Sequence, residues 1–525
     1  MGRLDEGGGR GECAGLFSLL DDITTSIAQS FGPVLCLAEA MFDLGPKMEI
    51  DLITAGVWVP IATALMADAG IKMAIFSPGI ASILQANYIA LDTFLSELAM
   101  RLLKESGEQR QTDVQGVESL YFKPKISMET VLRAQERIYA HPKTADFSKK
   151  WNLPIYYQLR FGDCCNRLNT AIENTRREGW IASVFTGSED RADYLKGTFG
   201  FELPLFMELY DILLGLWQPD VILRPLTHRF LRGAVQLVGR TVHFIGEGME
   251  GNIKFGNDVN EESASHENGQ HSDANGEKLS YPARKFYCWA ESEHELAAVA
   301  WELAILETSM CHDYVSTVSS SIAGGDCTEA ELAELRKLAS EVLKESVGQI
   351  RPLVDKAWNQ LIVQILVGKC SGPLAAVKGV AATYRMTNRP PPTQASPFVL
   401  TILRPLKELD KEFASRTPDY IDGSWKRSVV STVAERYSAA VEDLIAAVKR
   451  GEVALQNRRA RRAASGGMSD GDKVKLQLYL DFQEFSRHVT DVGVDISSIV
   501  AIDKLRSLTS EAEQLQARPN GSSSS

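Results

Sequence analysis

The chain has 525 residues, of which 44% are hydrophobic and 24% are charged. This length suits three or four compact units or one long helical rod, and the composition is ordinary for a globular protein with a sizeable core. The formal net charge of −12 argues against a general nucleic-acid binder, which needs a net basic surface. The eight cysteines are spread widely without a CxxC pair, which favours a reducing compartment over a disulfide framework.

The first 15 residues, MGRLDEGGGRGECAG, are rich in glycine and are predicted to be disordered. They lack the apolar core of a signal peptide, and Gly7 stands where a myristoylation pattern needs Ser or Thr. The longest uncharged run, at 53–67, is shorter than the ~20 residues that a membrane span needs. Because Pro60 lies in its middle, this run predicts a pair of buried helices.

Residues 16–250 are predicted to form a first helical bundle region. In the segment WNLPIYYQLRF at 151–161, seven of eleven residues are large and apolar or aromatic, so the segment must be buried. Pro154 suits the first turn of a helix. A stripe of mostly apolar residues at helical spacing begins in this segment, and a second such stripe lies further along the chain. The first consists of Ile155, Leu159, Gly162, Cys165, Leu168 and Ile172, and the second of Leu226, Phe230, Ala234, Leu237 and Thr241.

Residues 251–280 contain few apolar side chains, and this composition predicts a disordered linker or insertion. A second helical bundle region is expected at 281–515, followed by a disordered tail at 516–525. Ser292 with Glu295, and Thr328 with Glu331, have the spacing of capping boxes. The four prolines in 387–398 predict a break between helices.

Apolar stripes at spacings of three and four support helices throughout the second region. They are Leu296, Val299, Leu303, Leu306 and Met310; Val354, Trp358, Leu361 and Ile365; Val433, Tyr437, Ala440, Leu444 and Val448; and Leu478, Phe482, Phe485 and Val489. Signals for strands are scarce, and no repeat of 20–50 residues is visible. The residues therefore predict an all-α fold of many antiparallel helices.

No pattern in the chain predicts catalysis. HELAA at 294–298 begins like a zinc-protease helix, but Ala298 replaces the second histidine of the ligand pair. The spacing of Cys288, His294, Cys311 and His312 matches no common zinc pattern. Phosphate-binding glycine loops and the GxSxG motif are absent. We therefore predict no catalytic, cofactor-binding or metal-binding residues, and no cofactor.

One basic cluster could contact a partner or an acidic lipid surface. It consists of Arg458, Arg459, Arg461 and Arg462. A solvated helix end is the simpler interpretation of the same residues.

Five stretches, in order, resemble subunit two of the conserved oligomeric Golgi complex, a vesicle-tethering complex. Together they span about residues 34–510. They are GVWVPIATALMAD at 56–68, IFSPG at 75–79, SKKWNLPIYYQLRFGDCCNRL at 148–168, the segment at 203–240 that begins LPLFMELYDILLGLWQPD, and VKLQLYLDFQEFSRHVTDVGVDIS at 474–497. The family has a long N-terminal coiled-coil region before the bundle, whereas this sequence starts almost at the bundle.

The resemblance implies an elongated rod of antiparallel helical bundles without catalytic activity. It implies a subunit that supports intra-Golgi retrograde transport and Golgi organisation through protein–protein contacts. The implied partners are subunits one, three and four of the complex, SNAREs, small GTPases and coiled-coil tethers, with neither nucleic acid nor a small-molecule substrate. The implied location is the cytoplasmic face of the Golgi membrane, as a peripheral protein with a cytosolic pool.

Two other hypotheses remain open from the residues alone. One is a helical subunit or adaptor of another tethering complex, such as exocyst. The other is a helical metal-dependent hydrolase, against which the missing ligand pair argues.

Overall fold

The computed structural model describes most of the chain, and the expectation of an all-α fold is confirmed. The described residues form 21 α-helices and no β-strand. The described ranges are 14–42, 51–108, 126–253, 255–256, 288–323, 327–385, 387, 389–459 and 468–516. Within helices, side chains are not described at 14, 104–108, 453–459 and 514–516.

The helices up to residue 249 number ten. They are α1 (Ala14–Phe42), α2 (Val59–Ala67), α3 (Ala69–Phe76), α4 (Ala81–Glu108), α5 (Met128–Ala140), α6 (Pro142–Ser148), α7 (Leu153–Glu178), α8 (Glu189–Phe199), α9 (Pro204–Gly215) and α10 (Thr227–Met249).

Eleven helices follow in the C-terminal half. They are α11 (Glu293–Ser309), α12 (Val315–Ala323), α13 (Glu329–Gly348), α14 (Ile350–Lys356), α15 (Val363–Ser371), α16 (Val377–Tyr384), α17 (Val399–Ile402), α18 (Arg404–Phe413), α19 (Ser424–Arg459), α20 (Asp470–Asp491) and α21 (Val500–Gln516).

The chain divides into two compact units, each built from several segments. Most of the predicted linker at 251–280 lies outside the described residues, so the division into two regions at that point stays a prediction. Unit 1 consists of Met1–Arg167, Ile212–Ala234 and Ser320–Cys327, and unit 2 of Leu168–Asp211, Val235–Ser319 and Thr328–Ser525.

A chain of aromatic rings forms the centre of unit 1. Trp58 packs edge-on against Phe147 at 5.3 Å, and Phe76 packs against both Phe147 and Trp151. The indole N–H of Trp58 donates to Thr144 Oγ1 at 2.7 Å, so this ring has its polar group satisfied in the core. The rings therefore join the residues just before α2, helices α3 and α6, and the residues just before α7.

The segment WNLPIYYQLRF packs through its aromatic rings, and the stripe predicted to start in it is only partly confirmed: Leu168 and Ile172 are buried, whereas its first two residues are not. Trp151 is buried, and the buried Tyr156 donates its hydroxyl to the carbonyl oxygen of Val221. Ile155 and Leu159 are about half exposed, so their assignment to a buried face was wrong. The buried side of α7 in this turn is set by Tyr156, since that ring reaches the 212–234 segment of the same unit.

The predicted break at Pro60 is also wrong. A π-helical stretch, Leu52–Trp58, runs directly into α2, where Pro60 occupies the first turn. The break falls at Asp68, whose carboxylate accepts from the N–H of Ile71 and caps α3. The helices on either side of this break are bent by 97°.

One continuous helical run among the described residues is long and apolar enough to cross a membrane. This run is Glu329–Tyr384. The bent pair Leu52–Ala67 and Ala69–Phe76 is also long and apolar enough, but only if its two helices are counted together as one span. Length and composition alone are weak support for a span, because buried core helices share them. Within the first run, Val354, Trp358 and Leu366 are fully buried in unit 2.

A second aromatic cluster forms part of the core of unit 2. Trp180 contacts Trp289 edge-on at 5.1 Å and lies within 6.3 Å of Phe206 and 6.0 Å of Phe255. Phe255 belongs to the segment predicted as a linker, yet it is fully buried. A Cβ atom on Gly248 would lie 2.5 Å from the indole nitrogen of Trp289, so only glycine allows this close approach.

The other stripes of unit 2 mostly match the structure. The seam on α11 is confirmed, since all five of its residues are fully buried, and so is the stripe Leu478, Phe482, Phe485 and Val489. Thr328 and Glu331 form a complete capping box, whereas Ser292 caps α11 through its hydroxyl alone. On α19, Val433, Tyr437 and Leu444 are buried, while Ala440 and Val448 are partly exposed.

Candidate interaction surface

Two buried carboxylates of unit 2, Glu302 and Asp481, accept hydrogen bonds from backbone N–H groups. Glu302 Oε1 accepts from the N–H groups of Glu202 and Leu203 at 2.6 and 3.0 Å, just before α9. Asp481 accepts from Ser396 and from the side-chain amide of Gln477. Burial raises the pKa of both carboxyl groups, because water is excluded from the charged form.

Both histidines of the set Cys288, His294, Cys311 and His312 lie beside polar groups of the protein. His294 Nδ1 lies 2.9 Å from Glu412 Oε2, and His312 Nδ1 lies 3.0 Å from the carbonyl oxygen of Thr308. Among the described residues, no group of three His, Cys, Asp or Glu side chains is arranged to hold a metal ion.

The predicted basic cluster is only partly covered by the structure. Arg458 and Arg459 form the last residues of α19, and their side chains are not described. Arg461 and Arg462 lie outside the described residues. A contact between these arginines and a partner or lipid therefore stays a prediction.

Helix α1 carries an exposed apolar face in unit 1. Its inner side packs against α4, where Arg101 pairs with Asp21 at 2.6 Å. On the outer side, Phe31, Val34 and Leu37 are 59%, 55% and 48% exposed. Single exposed apolar residues are common, but several neighbouring ones on one helix are typical of an interaction site.

Helix α5 carries a second exposed apolar face in the same unit. Met128, Leu132 and Tyr139 are spaced by four and seven residues, which places them on one side of the helix. All three are exposed. The other side of α5 is buried and consists of Thr130, Val131, Ala134 and Ile138.

A polar contact fixes α1 and α5 together. Arg137 of α5 donates to the carboxylate of Glu39, which is buried on α1, and its Nε lies 3.3 Å from Asp51 Oδ2. The guanidinium group also lies 4.1 Å from the ring centre of Phe42. Arg137 is partly buried and pairs with both Glu39 and Asp51, so it joins the two helices that carry the apolar faces. We call these two faces, Phe31–Val34–Leu37 and Met128–Leu132–Tyr139, the exposed apolar faces of unit 1.

Sequence reasoning missed these faces, although a signal was present. The apolar residues of α1 cover more of its circumference than one buried stripe needs, and such an excess indicates a second contact.

Comparison with known proteins identifies the family. The chain belongs to the family described as COG complex component, COG2, C-terminal, whose model matches residues 149–482. This confirms the resemblance to subunit two of the conserved oligomeric Golgi complex.

Curated relatives agree with the family match. Conserved oligomeric Golgi complex subunit 2 of Arabidopsis thaliana is 25% identical over 367 residues, which cover 67% of this chain and 43% of that protein. The protein of the same name from Homo sapiens is 25% identical over 421 residues, or 75% of this chain and 53% of the relative. The Drosophila melanogaster protein of the same name is 22% identical over 454 residues, which cover 84% of this chain and 53% of that protein.

The chain spans about half the length of the curated relatives that it matches. No solved structure matches it at a significant level.

Proposed function

We propose that this chain works as a non-catalytic part of a Golgi vesicle-tethering complex, through protein–protein contacts alone. The observation that carries the proposal is the family match over residues 149–482, together with relatives named as subunit 2 of the conserved oligomeric Golgi complex. In this role the chain supports intra-Golgi retrograde transport and Golgi organisation. The family match does not favour an exocyst adaptor or a metal-dependent hydrolase.

Assembly with other subunits is the contact that this proposal needs first. Subunits one, three and four are the expected neighbours, and SNAREs, small GTPases and coiled-coil tethers are the expected partners at the membrane. The chain would act peripherally, on the cytoplasmic face of the Golgi membrane, with a cytosolic pool. Its net charge of −12 is no obstacle to assembly, since affinity between subunits depends mainly on apolar contacts at the centre of an interface.

The exposed apolar faces of unit 1 are the surfaces that we assign to assembly. Helix-on-helix packing needs neighbouring apolar side chains on successive turns, and Phe31, Val34 and Leu37 supply them on α1. Burying such side chains at an interface contributes roughly 25 cal/mol for each Å² removed from water. The faces would therefore lose exposed apolar area when a helical partner binds.

A pull-down of the tagged chain from its own cells, with partners identified by mass spectrometry, tests the proposal. Recovery of the other subunits of the complex is the expected result. The triple variant Phe31→Ser, Val34→Ser, Leu37→Ser should recover them poorly while keeping its helical circular dichroism. A matched control on the same helix replaces three exposed polar residues by alanine: Ser26, Gln29 and Ser30.

Two results would contradict the proposal in different ways. Recovery of no tethering subunit by a folded wild-type chain would reject the assembly role. Equal recovery by the wild type and the triple serine variant would keep that role and reject α1 as the contact surface.

A further inference from the structure

A loop of unit 2 between α7 and α8 exposes two apolar side chains. Ile181 and Val184 are 77% and 73% exposed, among the highest values of any large apolar residue that the structure describes. Exposing such side chains costs free energy that burial would recover. A loop that keeps them exposed is typical of a binding loop.

Contacts at both ends hold this loop in place. Trp180, directly before it, is buried in the aromatic cluster with Trp289 and Phe206. At the other end, the backbone N–H and hydroxyl of Thr186 both donate to Glu208 Oε2, at 3.3 and 2.8 Å, and Glu208 is itself buried. Ile181 and Val184 therefore stay exposed while the loop is anchored.

An open cleft of about 540 Å³ lies beside these two residues in the same unit. This volume falls in the range of ligand pockets, roughly 300–1,000 Å³. Its apolar lining includes Leu203, Met207 and Phe413, so the cleft offers apolar contact next to the exposed loop.

The charges that line the cleft are predominantly negative. Four glutamates but only two cationic side chains, Lys196 and Arg416, line it. Arg416 is already engaged, because its guanidinium group makes two hydrogen bonds of 2.9 and 2.8 Å to the carboxylate of Glu202. The cleft therefore has an excess of negative charge that a cationic group could balance.

Glu295 lines the cleft and makes no ion pair with any residue that the structure describes. Its side chain is only partly buried, and its carboxylate accepts no hydrogen bond from any residue that the structure describes. Burial also raises the pKa of this carboxyl group, since water no longer stabilises the charged form. An ammonium or guanidinium group bound in the cleft would pair with this carboxylate and favour its charged form.

We propose that Ile181, Val184 and this cleft bind a short segment of a partner protein that carries apolar side chains and a lysine or arginine. The apolar side chains contact the loop and the apolar lining, while the cation pairs with Glu295. This inference rests on the proposed function, because it adds a second contact surface to the same tethering subunit.

The test selects binders from a phage-displayed library of random short peptides on the full chain, and then measures synthetic consensus peptides by fluorescence anisotropy. We expect a consensus with apolar residues and at least one Lys or Arg. The double variant Ile181→Ser, Val184→Ser should weaken binding by about tenfold or more, and Glu295→Gln should abolish the preference for Lys over Gln in the peptide.

Control variants separate the cleft from general effects. Val500→Ser removes another strongly exposed apolar residue of unit 2, and Glu345→Gln removes an exposed charge outside the cleft. Neither should change peptide affinity, and all variants should keep the wild-type melting temperature within a few degrees.

Three results would overturn the inference: no binding peptide, an acidic consensus, or full affinity of the double serine variant. The pull-down of tethering subunits by the wild-type chain is run in parallel. If the subunits are recovered while no peptide binds the cleft, the inference fails and the proposed function stands. If no subunit is recovered, the proposed function fails.

Discussion

The carboxylate of Asp481 accepts two hydrogen bonds from Ser396, one from its backbone N–H at 2.6 Å and one from its hydroxyl at 2.9 Å. Asp481 is fully buried on α20, whereas Ser396 lies in the proline-rich connection between α16 and α17. Two further residues of α20, Lys473 and Gln477, donate to carbonyl oxygens of the same connection. A segment without helical hydrogen bonds is thus held by side chains of α20.

Replacing Asp481 by alanine should therefore lower the free energy of unfolding by about 3 kcal/mol or more, because hydrogen bonds to a charged group contribute roughly 1.5–3 kcal/mol each. Urea denaturation followed by circular dichroism measures the change. Asp443→Ala, at an exposed position of α19, is the control and should stay within about 0.5 kcal/mol of wild type. Equal stability of the two variants would show that the connection does not depend on Asp481.

The break between helices at 387–398 was predictable, because proline interrupts a helix at its own position. The hydrogen bonds that attach this connection to α20 were not predictable. The helix ends at Tyr384 and resumes at Val399, as four prolines indicate. The residues that hold the connection lie more than 80 positions further along the chain. Sequence spacing carries no information on such a distant pairing, so Asp481 could not be distinguished from any other helical aspartate.

Trp151 tests the aromatic core of unit 1. Its ring packs edge-on against Phe76 at 4.8 Å and Tyr88 at 5.1 Å, and it is buried. Trp151→Ala should leave a cavity and lower the free energy of unfolding by roughly 3–5 kcal/mol. Ile155→Ala, four residues later on α7 and half exposed, should cost clearly less. A melting temperature unchanged by Trp151→Ala would contradict the core placement.

A π-helical stretch explains why the stripe Val354, Trp358, Leu361 and Ile365 was only half right. Residues Ala357–Ile362 form a π-helix between α14 and α15, which widens the turn. The large side chains that are fully buried between 354 and 366 are consequently Val354, Trp358, Ile362 and Leu366, at a constant spacing of four. Leu361 and Ile365 are only partly buried. A 3.6-residue period cannot anticipate this shift, because nothing in the local sequence marks it.

Adjacent alanine substitutions measure this shift directly. Ile362→Ala removes a fully buried side chain and should cost about 2–4 kcal/mol, whereas Leu361→Ala should cost less than half as much. Both substitutions introduce alanine into the same helical stretch, so they change its helix propensity to a similar extent. Urea denaturation gives the comparison, and a larger cost for Leu361→Ala would favour an uninterrupted α-helix.

The candidate surface was less predictable than the helices. Helical period distinguishes apolar from polar sides, but it cannot tell a side buried in the chain's own core from one left for a partner. Ile155 on α7 and Phe31 on α1 illustrate this, because each occupies an apolar position at helical spacing and each is exposed. The interaction surfaces therefore became visible only once the internal packing of each unit was known.

Glu302 gives unit 2 a dependence on pH. Burial raises the pKa of this carboxyl group from 4.5 to about 8, although hydrogen bonds from the N–H groups of Glu202 and Leu203 act to lower it. Between these two values the folded chain keeps a proton that the unfolded chain has released. The folded state binds more protons there, so its stability falls as the pH rises from about 4.5 to about 8.

The variant Glu302→Gln should remove this dependence without disturbing the contact. The N–H groups of Glu202 and Leu203 both donate to Glu302 Oε1, and the amide oxygen of glutamine can take the place of this atom. The other oxygen, Oε2, accepts no hydrogen bond from the described residues. Glutamine therefore keeps both bonds and introduces no charge. We expect the variant to be at least as stable as wild type at about pH 8.5, by an amount of up to a few kcal/mol.

Urea denaturation at about pH 5 and about pH 8.5 measures the difference. The wild-type chain should lose stability between the two conditions, at up to about 1.4 kcal/mol per pH unit, and Glu302→Gln should lose less. Glu435→Gln, at an exposed position of α19, is the control and should follow the wild type. If Glu302→Gln kept the full pH dependence of wild type, the titrating group would have to be another buried acid, of which Asp481, with its raised pKa, is the first to test by Asp481→Asn.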